Sequence, residues 1–143
     1  MYFVALIIHV FCAIAFVGYV FFDAVIFPMA KKFVKDEDMQ KVKKAYAKGG
    51  AKVFGTAFLL LILSGLYMAK SYLGGEDGWF GSTFQILLLS KIALLLLMCA
   101  VTAYSIFFVV ILKKPDPFGS YSHIIAVILC FGIVFLAKAM WTF

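Results

Sequence analysis

Charge is scarce in this sequence, and one kind of charged residue is missing altogether. Only 14% of the 143 residues are charged, and all thirteen cationic residues are lysine, because the chain contains no arginine. Soluble domains carry about 25% charged and about 45–50% apolar residues, whereas 66% of this chain is hydrophobic. Such a chain has too little polar surface to face water on all sides. We therefore predict an integral membrane protein rather than a soluble bundle.

Cysteine is rare as well. The chain has three cysteines, Cys12, Cys99 and Cys130, all within apolar stretches, and their spacing matches neither a zinc site nor a redox motif. We interpret them as small apolar side chains of the core. The net charge of +6 does not indicate binding of nucleic acid, because most of the lysines lie together in one connection between apolar runs.

Four apolar runs are long enough to cross a bilayer, which takes about 20 residues at 1.5 Å per residue. They are residues 2–27, 53–73, 84–112 and 120–143. The first run has no basic segment before it and no small-residue cleavage site after it, so we expect a permanent helix and not a signal peptide. The predicted fold is all-α. It is a single four-helix transmembrane domain over residues 1–143, running up-down-up-down because short loops join antiparallel neighbours.

The lysines predict which loops face the cytoplasm. Lysine-rich loops stay on the cytoplasmic side. Eight lysines lie in residues 28–52, Lys113 and Lys114 lie between the last two runs, and residues 74–81 contain none. We therefore expect the 28–52 loop in the cytoplasm and both termini outside, in a multi-pass protein of a bacterial inner membrane. The basic loop either attracts anionic lipid headgroups weakly or binds another protein.

The cytoplasmic loop has a pattern of its own. Residues 31–46 are amphipathic and predict a short helix, which either lies on the membrane surface or extends the second span inward. We expect Pro28 to close the first span and Asp36 to cap the loop helix. The pair Gly49 and Gly50 is expected to break that helix before the second span begins.

Ionisable side chains inside spans are costly and usually face the interior of a helical bundle. At 1.5 Å per residue, His9 and Lys91 lie about 10 Å inward from the outer ends of their helices. Met68 and Lys138 fall near the same level, with Ser64 and Ser90 close by. The sequence thus predicts an outer polar layer within the bundle.

A second polar layer is expected near the cytoplasmic side. Asp23 and His123 each lie about 5 Å from the inner end of their helix, which predicts a polar pair. The two histidines, His9 and His123, are then about 20 Å apart along the membrane normal. Each is a candidate metal ligand, but they cannot bind the same iron.

The outer layer contains groups that bind redox cofactors. A neutral imidazole such as that of His9 is a ligand for haem iron or copper, and the thioether of Met68 suits Cu(I) or an axial haem position. Lys91 is the candidate catalytic residue, because a buried ammonium can neutralise a porphyrin carboxylate or donate a proton. Alternatively, His9 simply hydrogen-bonds to a neighbouring helix, and Lys91 and Lys138 extend to the outer surface.

Two of these helices resemble known families. Residues 6–11 around His9, followed by Gly18, and residues 89–95 around Lys91 resemble the copper-resistance protein D-like group and the four-helix bacterial membrane protoporphyrinogen IX oxidase family. The oxidase family converts protoporphyrinogen to protoporphyrin and is associated with b-type haem, and its chain length and four-span plan match better. The resemblance implies that His9 binds haem or a metal and that Lys91 is a partner of the porphyrin or the proton.

Three functions stay open at this point. The first is a haem-binding or porphyrin-handling redox protein, a membrane oxidoreductase with haem b and with porphyrin or quinone as a partner. The second is a copper-handling protein that uses His9 and Met68. The third is a non-catalytic accessory subunit whose polar side chains serve only helix association, with a homo-oligomer as one candidate assembly.

Overall fold

The computed structural model describes residues 1–74, 78–114 and 121–142. Within these ranges the chain is helical and has no strand. Its long helices are α1 (Tyr2–Phe21), α2 (Asp36–Ala69), α3 (Thr83–Ile106) and α4 (Tyr121–Ala139). Each contains a stretch long and apolar enough to cross a membrane. The all-α class and the multi-pass membrane protein predicted from composition are thereby confirmed, while Ser120 and Phe143, at the ends of the fourth predicted run, lie outside the described residues.

The chain divides into two compact units, Met1–Ser71 and Tyr72–Phe143. In the first unit α1 packs along α2, and the two helices run antiparallel. Phe16 stacks on Phe58 with ring centroids 4.8 Å apart, and Tyr19 stacks on Phe54 at 3.8 Å. Residue numbers along α2 thus decrease as those along α1 increase, as expected for antiparallel helices. These two ring pairs fix the register of the helical hairpin.

Helical backbone continues well past the predicted end of the first span. A π-helical turn, Phe22–Ile26, follows α1, and the short helical segments Phe27–Met29 and Ala30–Lys32 follow in turn. The prediction that Pro28 closes the span was therefore wrong. Pro28 follows the π-helical turn by two residues within this continuous helical backbone, and the wider turn accommodates a residue that has no backbone N–H to donate.

The amphipathic part of the loop belongs to α2, which runs unbroken for 34 residues. Of the two predicted alternatives, the extension of the second span is confirmed, and the expected break at Gly49 and Gly50 was wrong. Glycine costs a helix only about 1 kcal/mol, and packing against α1 offsets that cost. Asp36 is the first residue of α2 and not its cap, since Lys35 holds the cap position without a side-chain hydrogen bond.

In the second unit α3 and α4 also run antiparallel. Met98 on α3 contacts Cys130 on α4, with their sulfur atoms 3.8 Å apart, and both side chains are buried. Near the other end, Phe84 packs against Trp141 with ring centroids 5.4 Å apart. Cys130 is thus a core side chain as predicted, and Cys12 and Cys99 are half-buried.

Candidate functional site

His9 on α1 is held by a serine of α2. Its Nδ1 atom lies 3.0 Å from the hydroxyl oxygen of Ser64. That hydroxyl donates its single hydrogen to the backbone carbonyl of Leu60 at 2.6 Å, an i−4 contact typical of serine within helices. The serine oxygen therefore accepts from the Nδ1–H of His9. This arrangement favours the tautomer of the imidazole that carries its hydrogen on Nδ1.

Gly65, the next residue of α2, provides the space for the imidazole ring. A Cβ atom at this position would lie 3.0 Å from Cε1 of His9 and 3.4 Å from its Nδ1. The first of these distances is too short for an ordinary carbon–carbon contact, so any larger residue would displace the ring. Ser64 and Gly65 together orient His9, one through its hydroxyl and the other through the absence of a side chain.

The side chains near His9 limit which further ligands a metal bound there could have. Met68 is half-buried and follows Ser64 by one helical turn, about 6 Å along α2. Across residues 1–74, 78–114 and 121–142, no three His, Cys, Asp or Glu side chains come together as a metal site. A metal bound through His9 would need its remaining ligands from a thioether or from a cofactor.

A second polar cluster lies in the first unit, and its α2 members were not predicted. Asp23, in the π-helical turn after α1, has only 5% of its surface exposed. The phenol of Tyr46 on α2 donates a hydrogen bond to the Asp23 carboxylate, and the Lys43 ammonium lies 3.9 Å from the same oxygen atom. Nothing in the sequence indicates that the hydroxyl of Tyr46 meets a buried carboxylate.

Aromatic rings surround the Tyr46 phenol. Phe27 and Phe22 pack edge-on against it with ring centroids 5.3 and 5.9 Å away, and Tyr19 does so at 6.4 Å. Burial by these rings, together with the hydrogen bond to Asp23, raises the pKa of Tyr46 well above its ordinary value. The phenol therefore remains a hydrogen-bond donor across the neutral and moderately alkaline range.

The other predicted site residues lie in the second unit. Lys91 is half-buried on α3, and among the described residues of this unit its ammonium makes no hydrogen bond or ion pair. Lys138 is exposed near the end of α4, and His123 is half-buried at its beginning. The sequence predicts a layer that contains His9 and Lys91, and a pair formed by Asp23 and His123. In each case the two residues belong to different units, and both groupings stay predictions.

Comparison of the chain with protein-family models, with curated proteins and with solved structures finds no match to any of them. The resemblance to the copper-resistance and oxidase families thus stays a prediction.

Proposed function

We propose that this protein is a haem-binding redox protein of the bacterial inner membrane, in which His9 would hold the iron of b-type haem. The observation that supports the proposal is the hydrogen bond between His9 Nδ1 and Ser64. Histidines that bind metals almost always donate their other ring N–H to a fixed acceptor, which sets the tautomer and the ring orientation. Ser64 supplies that acceptor and directs the lone pair to Nε2, the atom that would bind iron.

Haem suits these residues better than a bare metal ion. A porphyrin brings four nitrogen ligands of its own and needs only one or two side chains from the protein. In this role His9 binds the iron, Ser64 and Gly65 hold the imidazole, and the apolar side chains of α1 and α2 keep water away. Bound haem supplies one-electron transfer. Lys91 is proposed as the cation that neutralises a porphyrin carboxylate or passes on a proton, which extends the proposal to protoporphyrinogen oxidase-like chemistry with porphyrin or quinone as the partner.

The membrane topology is part of the same proposal. The distribution of lysines supports an up-down-up-down bundle of four spans with both termini outside the cytoplasm. His9 then lies in the outer half of the bilayer.

In a variant whose three cysteines are replaced by alanine, a cysteine at Lys35 should react with an impermeant maleimide only after the inner face is opened. A cysteine at Trp79 should react in intact cells, and the opposite pattern would overturn the orientation.

A haem titration tests the role of His9. Haem-free protein in detergent is titrated with haemin, and binding is followed through the Soret absorption. His9→Ala should lose saturable binding, and Ser64→Ala should weaken it by about 10- to 100-fold, the usual effect of removing the partner of a ligating histidine.

Ser90 offers a matched control for that titration. Its hydroxyl also donates to the carbonyl four residues back, that of Ile86 at 2.8 Å, but it lies on α3 and is exposed. Ser90→Ala should bind haemin as the wild type does. Equal binding by the wild type and His9→Ala would contradict the proposal and favour a purely structural role for His9, as in an accessory subunit.

Copper is the second candidate because Met68, a soft ligand, lies one helical turn from Ser64. Elemental analysis of the purified protein separates the two candidates. One copper per chain that is lost in both His9→Ala and Met68→Leu would favour the copper-handling function. The haem proposal predicts iron without stoichiometric copper.

A further inference from the structure

Three lysines of α2 form a row on one side of the helix. Lys44, Lys48 and Lys52 follow one another at intervals of four residues, so they lie on one face and rise about 6 Å from one to the next. All three side chains are exposed. The opposite face of the same segment carries Met39 and Tyr46, which are buried or half-buried. We name these three lysines the lysine face.

Among the residues that the structure describes, the lysine face has no countercharge. Two other lysines of this segment are paired, since Lys41 lies 3.3 Å from Asp38 and Lys43 lies 3.9 Å from Asp23. In the part of the chain that the structure describes, no carboxylate or hydrogen-bond acceptor pairs with the ammonium groups of the lysine face. Three exposed positive charges in one helical row can bind an anionic partner from outside the chain.

The position of the lysine face relative to the membrane identifies that partner. The apolar span of α2 is Lys52–Ala69, so Lys52 lies at the edge of the hydrocarbon. Lys48 and Lys44 lie about 6 and 12 Å beyond it. The headgroup layer of one leaflet is roughly 5–8 Å thick, and lysine side chains extend along a helix to reach it. The ammonium groups of Lys52 and Lys48 thus lie within reach of lipid phosphates, and Lys44 adds its positive charge just outside the headgroup layer, where anionic lipids still attract it.

We propose that the lysine face binds the phosphate groups of anionic phospholipids in the leaflet next to the α1–α2 connection. A row along the helix axis, beginning at the hydrocarbon edge, fits headgroups of that leaflet better than the surface of an acidic protein. The inference is independent of the haem proposal, because it uses neither His9 nor any residue near it.

Native mass spectrometry of the full chain in detergent tests the proposal by comparing the binding of phosphatidylglycerol and phosphatidylcholine. The wild type should prefer phosphatidylglycerol on the order of tenfold. K44Q/K48Q/K52Q should lose the preference to within about twofold, whereas K44R/K48R/K52R should retain it. Helical circular dichroism establishes that each variant is folded.

The connection between α1 and α2 provides a matched control, because it also carries three exposed lysines, Lys31, Lys32 and Lys35. Phe27 packs against Tyr46, so in the antiparallel hairpin these lysines lie level with the part of α2 before Lys44, farther from Lys52 and the hydrocarbon edge. K31Q/K32Q/K35Q removes the same charge and should keep most of the preference. Inorganic phosphate at the same concentration should not displace the lipid. The proposal is overturned if the wild type shows no preference, as for a face that binds an acidic protein. The proposal is also overturned if both triple glutamine variants lose the preference for phosphatidylglycerol equally. Full displacement of the lipid by free phosphate would overturn it as well.

Discussion

At the scale of single residues, the position of the His9 imidazole depends on the small size of Gly65. Gly65→Ala would place a Cβ atom 3.0 Å from Cε1 of His9, and the ring would have to move away from Ser64. We expect haemin affinity to fall by about tenfold, since the partner that orients the ligand is then misaligned.

Gly55 is the control for this substitution. It lies on the same helix, and a Cβ atom there meets nothing within 4 Å. Gly55→Ala should leave the haemin titration unchanged and stabilise α2 by about 1 kcal/mol. If the two alanine variants bind haemin with the same affinity, close packing against Gly65 does not position the imidazole.

The phenol of Tyr46 should contribute to stability through its bond to a buried carboxylate. Tyr46→Phe removes the donor and leaves the Asp23 carboxylate less well compensated, which should cost about 1.5–3 kcal/mol. The measurement is the thermal midpoint of unfolding in detergent. Tyr121→Phe, at an exposed tyrosine, should change nothing.

The effect of Tyr46 should also depend on pH in one direction. Because its pKa is raised in the folded protein above the ordinary value of 10.0, the contribution is complete below pH 10 and is lost as pH rises beyond it. The difference in midpoint between wild type and Tyr46→Phe should stay constant from pH 7 to about 10 and shrink above that. A difference that shrinks on acidification through neutral pH would contradict this account.

The depth of these residues in the membrane could be predicted from the sequence, but the rotation of each helix about its own axis could not. His9 and Ser64 were expected near one level because depth needs only the helical rise per residue. Gly65 and Tyr46 were missed as partners because their contacts depend on how α2 is rotated toward α1. A span that is apolar on every side does not reveal that rotation in its pattern.

At the scale of helices, the glycine pair inside α2 gives two distinct expectations. A Cβ atom at Gly49 meets nothing within 4 Å, whereas one at Gly50 would lie 2.7 Å from the Phe54 ring. That ring stacks on Tyr19 with centroids 3.8 Å apart. Gly49→Ala should therefore raise stability by about 1 kcal/mol, and in Gly50→Ala the displaced ring should cancel much of that gain.

Thermal unfolding followed by circular dichroism compares the two glycine variants directly. Equal gains would mean that the Phe54 ring moves aside without cost. Hydrogen exchange of the wild type provides a second test. Rapid exchange on both sides of Gly49 would show that the helix is interrupted there, as the sequence predicted.

The existence of the helices could be predicted more securely than their ends. Long apolar runs require helices in a bilayer, because every backbone polar group must be paired there. The ends at Pro28 and Gly49–Gly50 were wrong for one physical reason. Local preferences of roughly 1–3 kcal/mol per residue were outweighed by the packing of α1 and its continuation against α2.

At the scale of the whole molecule, composition alone was enough to predict a multi-pass membrane protein. Composition does not show whether His9 and Lys91 act together. Lipid tails are as apolar as the helices, so burial of apolar surface does not drive helices together, and close packing of small side chains decides their arrangement. Sequence patterns do not specify that packing, and the pairing of these two residues stays a prediction.

The visible absorption spectrum of the protein as isolated from haem-replete cells, oxidised and then reduced, tests the central functional claim most directly. The account predicts a Soret band and visible bands of haem that shift on reduction, and the loss of these bands in His9→Ala. His123→Ala should keep them, because His123 is not the proposed ligand. A colourless wild-type protein, or bands of equal intensity in His9→Ala, would contradict the account.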